Sequence, residues 1–299
     1  MVKESYLIQI VKGRASNSTQ KVLVSTRRVF VTTLLAAFFV SHFSVSALAD
    51  PAGEALSAYQ RGDYLAALHL YRPLADQGNA TARYNLAVMY AKGLGVPKDF
   101  AEAIRWYSKA ADQGLAEAQF SLGSMYFAGL GVPSNYAEAA KWYRKAADQG
   151  DPGAQNSLGL MYDKNRGVPQ NYAEAVRWYR KAADQGFAAA QNNLGFMHDK
   201  GRGVPQDHGQ AAAWYRKAAD QGYPEAQEKL ALLYSKGLGI PVDLVQAHKW
   251  YALAALNYMP EEAKQSALAK KRHDALASKM TAKQIADAQA LVRAWLPKK

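Results

Sequence analysis

Residues 115–150 read LAEAQFSLGSMYFAGLGVPSNYAEAAKWYRKAADQG, and close copies of this 36-residue stretch recur along the 299-residue chain. Trp106, Trp142, Trp178, Trp214 and Trp250 stand 36 residues apart, and each is followed by a tyrosine: Tyr107, Tyr143, Tyr179, Tyr215 and Tyr251. Asp-Gln-Gly keeps the same step, beginning at Asp76, Asp112, Asp148, Asp184 and Asp220. Self-similarity at a fixed period of this length is the signature of a repeat array. Five full units follow, at 79–114, 115–150, 151–186, 187–222 and 223–258.

Each unit reads as two helices. Ala118, Leu122, Met125 and Tyr126 fall at offsets of four, seven and eight, which places them on one helical face. Tyr136, Ala139, Trp142, Tyr143 and Ala146 do the same for the second helix. Gly129-Leu130-Gly131-Val132-Pro133 separates the two, since glycine supplies a positive φ at a helix end and proline stops continuation. A capping box is expected at every second helix: Asp99 with Glu102, Asn135 with Glu138, Asn171 with Glu174, Asp207 with Gln210 and Asp243 with Gln246. A lone hairpin of this kind cannot bury both its faces, so the fold class is all-α, an α/α solenoid in which neighbours complete one another's core. The tryptophans are read as that core, at an upper bound of about 4–6 kcal/mol of burial each.

The flanks differ. Residues 50–78 read as a degenerate capping hairpin, in which Gly62-Asp63 replaces the long loop and Leu70-Tyr71 stands in the place of Trp-Tyr. After Tyr258 the period is lost, and residues 259–299 read as a C-terminal helical cap. Its second helix starts at Thr281-Ala282-Lys283-Gln284, and Trp295 is placed to close the last open face.

The chain has no cysteine, which excludes a disulfide framework, a zinc-thiolate finger, an iron–sulfur cluster and a cysteine nucleophile. A composition 49% apolar excludes a disordered chain. The net charge of +12 needs a correction. Residues 29–40, VFVTTLLAAFFV, follow Lys21, Arg27 and Arg28 and precede Ala47-Leu48-Ala49, the three-part pattern of a signal peptide over residues 1–49 cleaved after Ala49. The apolar stretch is too short to span a bilayer, which needs roughly 20 residues. Removing residues 1–49, with six Lys/Arg and Glu4, leaves 31 basic and 24 acidic residues, or +7.

The unit, written A-x-x-x-L-G-x-x-Y-x-x-G-x-G-V-P-x-D-x-x-x-A-x-x-W-Y-x-K-A-A-x-Q-G, resembles the Sel-one-like repeat family, a relative of tetratricopeptide repeats. The resemblance covers about 180 residues strongly and some 30 more weakly. It implies a right-handed superhelix of helix-turn-helix repeats and a scaffold or adaptor that binds a protein or peptide partner. In bacteria many members are exported and act in signalling or envelope polysaccharide processes. One exported branch carries a cysteine pair per repeat and is linked to β-lactam binding; with no cysteine here, nothing of that branch carries over.

By analogy with tetratricopeptide geometry, the first helix of each pair lines the concave face. Partner-specific information then lies at outward positions that vary between copies. Two before the repeated leucine stand Tyr84, Phe120, Asn156, Asn192 and Glu228; two after it Val88, Ser124, Leu160, Phe196 and Leu232; three further on Ala91, Phe127, Asp163, Asp199 and Ser235. Tyr84, Phe120, Phe127, Leu160 and Phe196 are candidate anchors, Asn156 and Asn192 candidate main-chain readers, and Asp163 and Asp199 an acidic end.

Other constellations point to less. His198 and His208, beside Asp199 and Asp207, flank one loop and read as one planar ring replacing another rather than as metal ligands, so no metal and no cofactor is expected. The Gly-x-Gly-Val-Pro loops lack the Gly-Lys-Ser/Thr of a phosphate cradle. Lys109, Arg144, Lys145, Arg180, Lys181, Arg216 and Lys217 form a basic row interleaved with Asp112, Asp148, Asp184 and Asp220, read as a solvated, salt-bridged face. The expected partner is therefore a protein or peptide of the cell envelope, with no nucleic acid, no evident small-molecule substrate, and membrane association only through that partner or an uncleaved signal segment. A cell-wall glycan-binding or glycan-modifying protein is the alternative, although no nucleophile, carboxylate pair or metal cluster occurs singly as a catalytic site requires. Arg27-Arg28 also fits most of a twin-arginine signal. The ordinary signal-peptide reading predicts continued export of an Arg27→Lys, Arg28→Lys variant in a fractionation assay; export lost in that variant assigns the twin-arginine route.

Overall fold

The structure, a computed structural model, describes residues 50–295; the segment read as a signal peptide and residues 296–299 lie outside the described residues. Fourteen α-helices and one short 3₁₀ turn, with no strand, make up the described residues. They fall into two compact units, residues 50–135 and 136–295. The first contains α1 (Pro51–Gln60), α2 (Tyr64–Asp76), α3 (Ala80–Lys92), α4 (Phe100–Asp112) and α5 (Ala116–Ala128). The second contains α6 (Tyr136–Asp148), α7 (Pro152–Asp163), α8 (Tyr172–Asp184), α9 (Ala188–Lys200), α10 (His208–Asp220), α11 (Pro224–Lys236), α12 (Leu244–Asn257), α13 (Ala263–Ala277) and α14 (Ala282–Trp295). Within each unit consecutive helices up to α13 pack on one another, and α12 receives both α13 and α14.

The first helices α3, α5, α7, α9 and α11 are buried on more than one side, which explains their small, apolar residues. Ala82, Leu86 and Met89 of α3, and Ala190, Leu194 and Met197 of α9, are at most 2% exposed. Second helices turn one face inward and one outward. Trp106, Trp178, Trp214 and Trp250 are buried, as the period predicts, whereas Trp142 is half-buried and Tyr136 is 38% exposed, so the predicted inward face of α6 is incomplete. Arg166 covers the Tyr136 ring at 5.7 Å.

Loop chemistry explains why the two glycines recur. Gly203, at φ +72°, lies so close to the preceding second helix that an added Cβ would stand 2.4 Å from the Tyr172 carbonyl group. The chain at that site therefore needs both a left-handed backbone and no side chain. The earlier glycine of the loop only needs the left-handed φ, and Asn165 supplies it at 53° in one repeat.

The capping prediction is half met. Asp99, Asn171, Asp207 and Asp243 each accept the N–H three residues on, at 2.9–3.0 Å. The reciprocal bond is absent because the N–H it would use is taken: those four residues donate to the carbonyls of Tyr90, Tyr162, His198 and Tyr234 at the end of the first helix, at 2.9–3.1 Å. Glu102, released from that task, accepts instead from Trp106 Nε1 at 2.8 Å. A complete box does form at Thr281, whose N–H donates to Gln284 Oε1 at 2.9 Å while its Oγ1 accepts from the Gln284 N–H at 3.2 Å.

A buried amide ladder fastens neighbouring pairs, and the periodicity argument missed it. In the second unit Gln155, Gln191 and Gln227 donate to the carbonyls of Ala147, Ala183 and Ala219 at 3.0–3.2 Å, adding a second donor to acceptors that already take a backbone N–H from Gly150, Gly186 and Gly222 at the end of each second helix. Their own Oε1 atoms accept from Gln185, Gln221 and Asn257, at 2.8–3.0 Å. In the first unit Gln119 donates to Ala111 O at 3.1 Å, and one repeat earlier Arg83 takes that place, donating to Ala75 O at 2.9 Å and to Gln113 Oε1 at 3.0 Å. The signal was visible, since a glutamine recurs every 36 residues at 119, 155, 191 and 227.

At the end of the array Trp295 packs with Val292 and Met280 against the cluster of Tyr251, Leu253 and Leu276. Gln191→Leu, which removes the bonds to the Ala183 carbonyl and from the Gln221 amide while leaving the Gly186 N–H and the Lys217 carbonyl to serve them, is expected to cost about 1 kcal/mol in denaturant unfolding. An unchanged midpoint would show that the ladder adds nothing to stacking.

Candidate functional site

The two units offer their outward first-helix positions separately. In the first, Tyr84 of α3 lines an open groove of about 580 Å³ with Asp50, Leu56, Asn79, Leu115 and Glu117. Its ring leans on Tyr107 with centroids 5.7 Å apart. Phe120 does not share this surface: it is 4% exposed, a core residue, because α5 buries a wider arc than the analogy allowed. Phe127 is half-buried.

In the second unit Asn156 of α7 and Asn192 of α9 are half-buried, as are Leu160 and Phe196. Asn156 Oδ1 accepts from Asn193 at 2.9 Å, so one of the two predicted amides is already engaged along the face. Asn192 Oδ1 is shielded and has no donor. Asp163 and Asp199 are internal pins, not a surface acidic end: at 5% and 8% exposure, Asp163 meets Lys164 at 2.8 Å and Arg202 at 3.9 Å, and Asp199 meets Lys200 at 2.8 Å and His208 at 3.0 Å. A carboxylate carried into a helix interface is tolerable only with such cations beside it. Arg202, in turn, stands over the Phe196 ring at 5.3 Å.

The two loop histidines serve different neighbours. His208 faces Asp199, whereas His198 Nε2 lies 3.4 Å from Arg180. Burial first, and then the Arg180 charge, holds the His198 imidazole below its usual range. Among the described residues no group of three or more His, Cys, Asp or Glu side chains is placed to hold a metal. No helix among them is long and apolar enough to cross a membrane.

The basic row is not the salt-bridged face that its aspartates suggested. Lys109, Lys145, Lys181 and Lys217 each cover the tryptophan one turn earlier on their own helix, at 3.9–4.2 Å from the ring centroid. Arg144 and Arg180 reach forward to the next repeat, to Trp178 at 5.4 Å and Trp214 at 5.5 Å. Arg144 also donates to the Tyr162 hydroxyl, and Arg216 covers Tyr234 at 5.3 Å. The ion pairs present lie nearer the helix start, at Glu102–Arg105, Glu138–Lys141 and Glu174–Arg177. A guanidinium stacks on an aromatic face with little loss of hydration, which is why arginine holds these inter-repeat positions.

This architecture defines an α/α repeat protein, an array of helix-turn-helix units stacked through tryptophan, tyrosine and amide contacts. The Sel1 repeat model matches residues 55–79, 80–115, 116–151, 152–187, 188–223 and 224–258, so the chain belongs to the Sel1 repeat family and its N-terminal hairpin counts as a sixth, shortened repeat. The chain is similar to the crystal structure of a Sel1 repeat protein from Oxalobacter formigenes, at 35% identity over 84% of this chain and 98% of that one, with a TM-score of 0.71. It is also similar to c5321, a protective antigen present in uropathogenic Escherichia coli strains, at 32% identity over 82% of this chain and 60% of that one, with a TM-score of 0.52. No curated protein sequence matches. Sel1 repeat proteins mediate protein–protein interaction, and the family is typically non-enzymatic.

Arg180→Ala removes both the Trp214 and the His198 contacts and is expected to cost about 1 kcal/mol in chemical denaturation. A variant as stable as the parent would make the forward-reaching guanidinium idle.

Proposed function

We propose that this protein is an exported, non-catalytic adaptor of the cell envelope that holds a protein or peptide partner on the outward positions of its first helices. One contrast carries the reading. Most positions between helices keep the same residue from repeat to repeat and are buried, whereas the outward positions change identity, and Tyr84, Asn156, Leu160, Asn192 and Phe196 among them stay partly open. Tyr84 in the groove of the first unit, and Asn156, Leu160, Asn192 and Phe196 in the second, are side chains suited to an extended segment: aromatic and aliphatic anchors with amides that read main chain. The Asn192 acceptor, shielded and without a donor, is a place that a partner N–H would satisfy. The apolar run at 29–40 before Ala47-Leu48-Ala49 supports export, and the family's general character supports binding without catalysis.

The test is chemical crosslinking of tagged protein in intact cells, followed by fractionation and identification of captured proteins. A periplasmic pool with a specific partner is expected. The Asn156→Ala, Asn192→Ala pair should weaken capture about tenfold, the worth of one to two hydrogen bonds, without lowering the melting temperature by more than a few degrees. Capture at parental strength excludes the two asparagines, and a pool confined to the cytoplasm sinks the exported reading.

A further inference from the structure

The last repeat is closed by chemistry different from that joining the other repeats. α13 meets α11 and α12 through ionisable groups. Arg272 of α13 donates to Glu228 Oε2 of α11 at 2.6 Å. His273 of α13 stacks on His248 of α12 with ring centroids 3.9 Å apart and planes inclined at 49°. His248 is 2% exposed, and its Nδ1 is shielded from water with no hydrogen-bond partner, so a second proton there would find no acceptor. His273 Nδ1 lies 2.9 Å from Asp274 Oδ1. Glu228 stands one period after Asn192 and two after Asn156, in the column assigned to the partner. A guanidinium of the cap therefore already occupies that column's C-terminal member.

We propose that α13 is a lid on the C-terminal end of the partner-binding face, seated by the buried, uncharged His248 ring stacked on His273 and released on mild acidification, when a proton taken up by His248 finds no acceptor in the seated state and Arg272 leaves Glu228. The regulation rests on the adaptor reading for its purpose, though not for its mechanism.

The charges around the pair fix the direction. On α13 they are Arg272, His273 and Asp274; on α11, Glu225 and Glu228; on α12 itself, Lys249, which covers the Trp250 ring at 4.0 Å. On α14, Lys283 pairs with Asp287 at 2.8 Å, and Arg293 is exposed. Burial first, then the charge of His273, pushes His248 down to about 4, against a smaller opposing pull from Asp274. A released His248 titrates near the ordinary value of about 6.5 and takes up protons that the seated one refuses. Seating is therefore complete above about pH 6.5 and weakens as the pH falls towards 4. Glu225 and Glu228 act in the opposite sense, because burial raises both and the seated state binds their protons more readily. Their contribution opposes that of His248, and replacing His248 separates the two.

Hydrogen exchange of the full chain at pH 7.5 and 5.5, corrected for intrinsic rates, reads the lid without any partner. Protection across residues 263–277 should fall about tenfold at pH 5.5 while α8 and α9 keep theirs. His248→Phe, which keeps a ring but cannot charge, should abolish the difference, and His248→Leu provides the same test should the first variant not fold. Equal protection at the two pH values, a loss that persists in a folded variant lacking His248, or a parallel loss in α8 and α9 overturns the lid. A lid that opens on a protein capturing no partner overturns the adaptor reading alone; a captured partner beside a lid that never opens overturns the lid alone.

Discussion

Trp178 cannot be covered by the helix that carries it. Its indole is 2% exposed because Lys181 of the same helix closes one side at 4.2 Å and Arg144, from the second helix of the preceding repeat, reaches it at 5.4 Å. The rest of the second unit follows from this incompleteness. Each pair lends an arginine forward and hands a glutamine back, and each second glycine presses on the backbone of the pair before it. Stability in such an array is a sum of nearest-neighbour terms, so the ends need separate solutions. The second unit ends with a helix that brings Trp295 onto the exposed last face.

The same constraint separates scaffold from function. Side chains that join repeats vary little between the middle copies, because a change at Gln191 or Arg180 disturbs two repeats together. Outward positions of the first helices carry no such duty. They can take an asparagine in one copy and a phenylalanine or glutamate in another, and a partner reads this variation. The basic row serves the same end, since most of its side chains hold aromatic rings in place.

Period, helix order, loop chemistry and the burial of four tryptophans were legible in the sequence because they depend on local spacing that repeats. Features needing a third dimension were less so. The capping boxes look complete in one dimension, and only the fold shows that the Tyr162 carbonyl has taken the N–H of Asn171. Asp163 and Asp199 sit at positions that analogy turns outward, yet Arg202 and His208 come from other helices or loops to draw them in. Phe120 fails as a surface anchor for a related reason, since the arc that α5 buries is set by its neighbours and not by its own pattern. The glutamine ladder was readable at a step of 36 but gave no sign of its purpose, because the carbonyls it reaches carry no sequence signal.

The central claim is that one face binds and the other stacks. Site-specific photo-crosslinking in living cells tests it directly, with the reactive side chain placed at position 160 or 192 on first helices and at 177 or 213 on second helices. The account predicts one discrete crosslinked partner from 160 and 192 and none from 177 and 213. The same partner captured from 177 and 213, with nothing from 160 and 192, would contradict it.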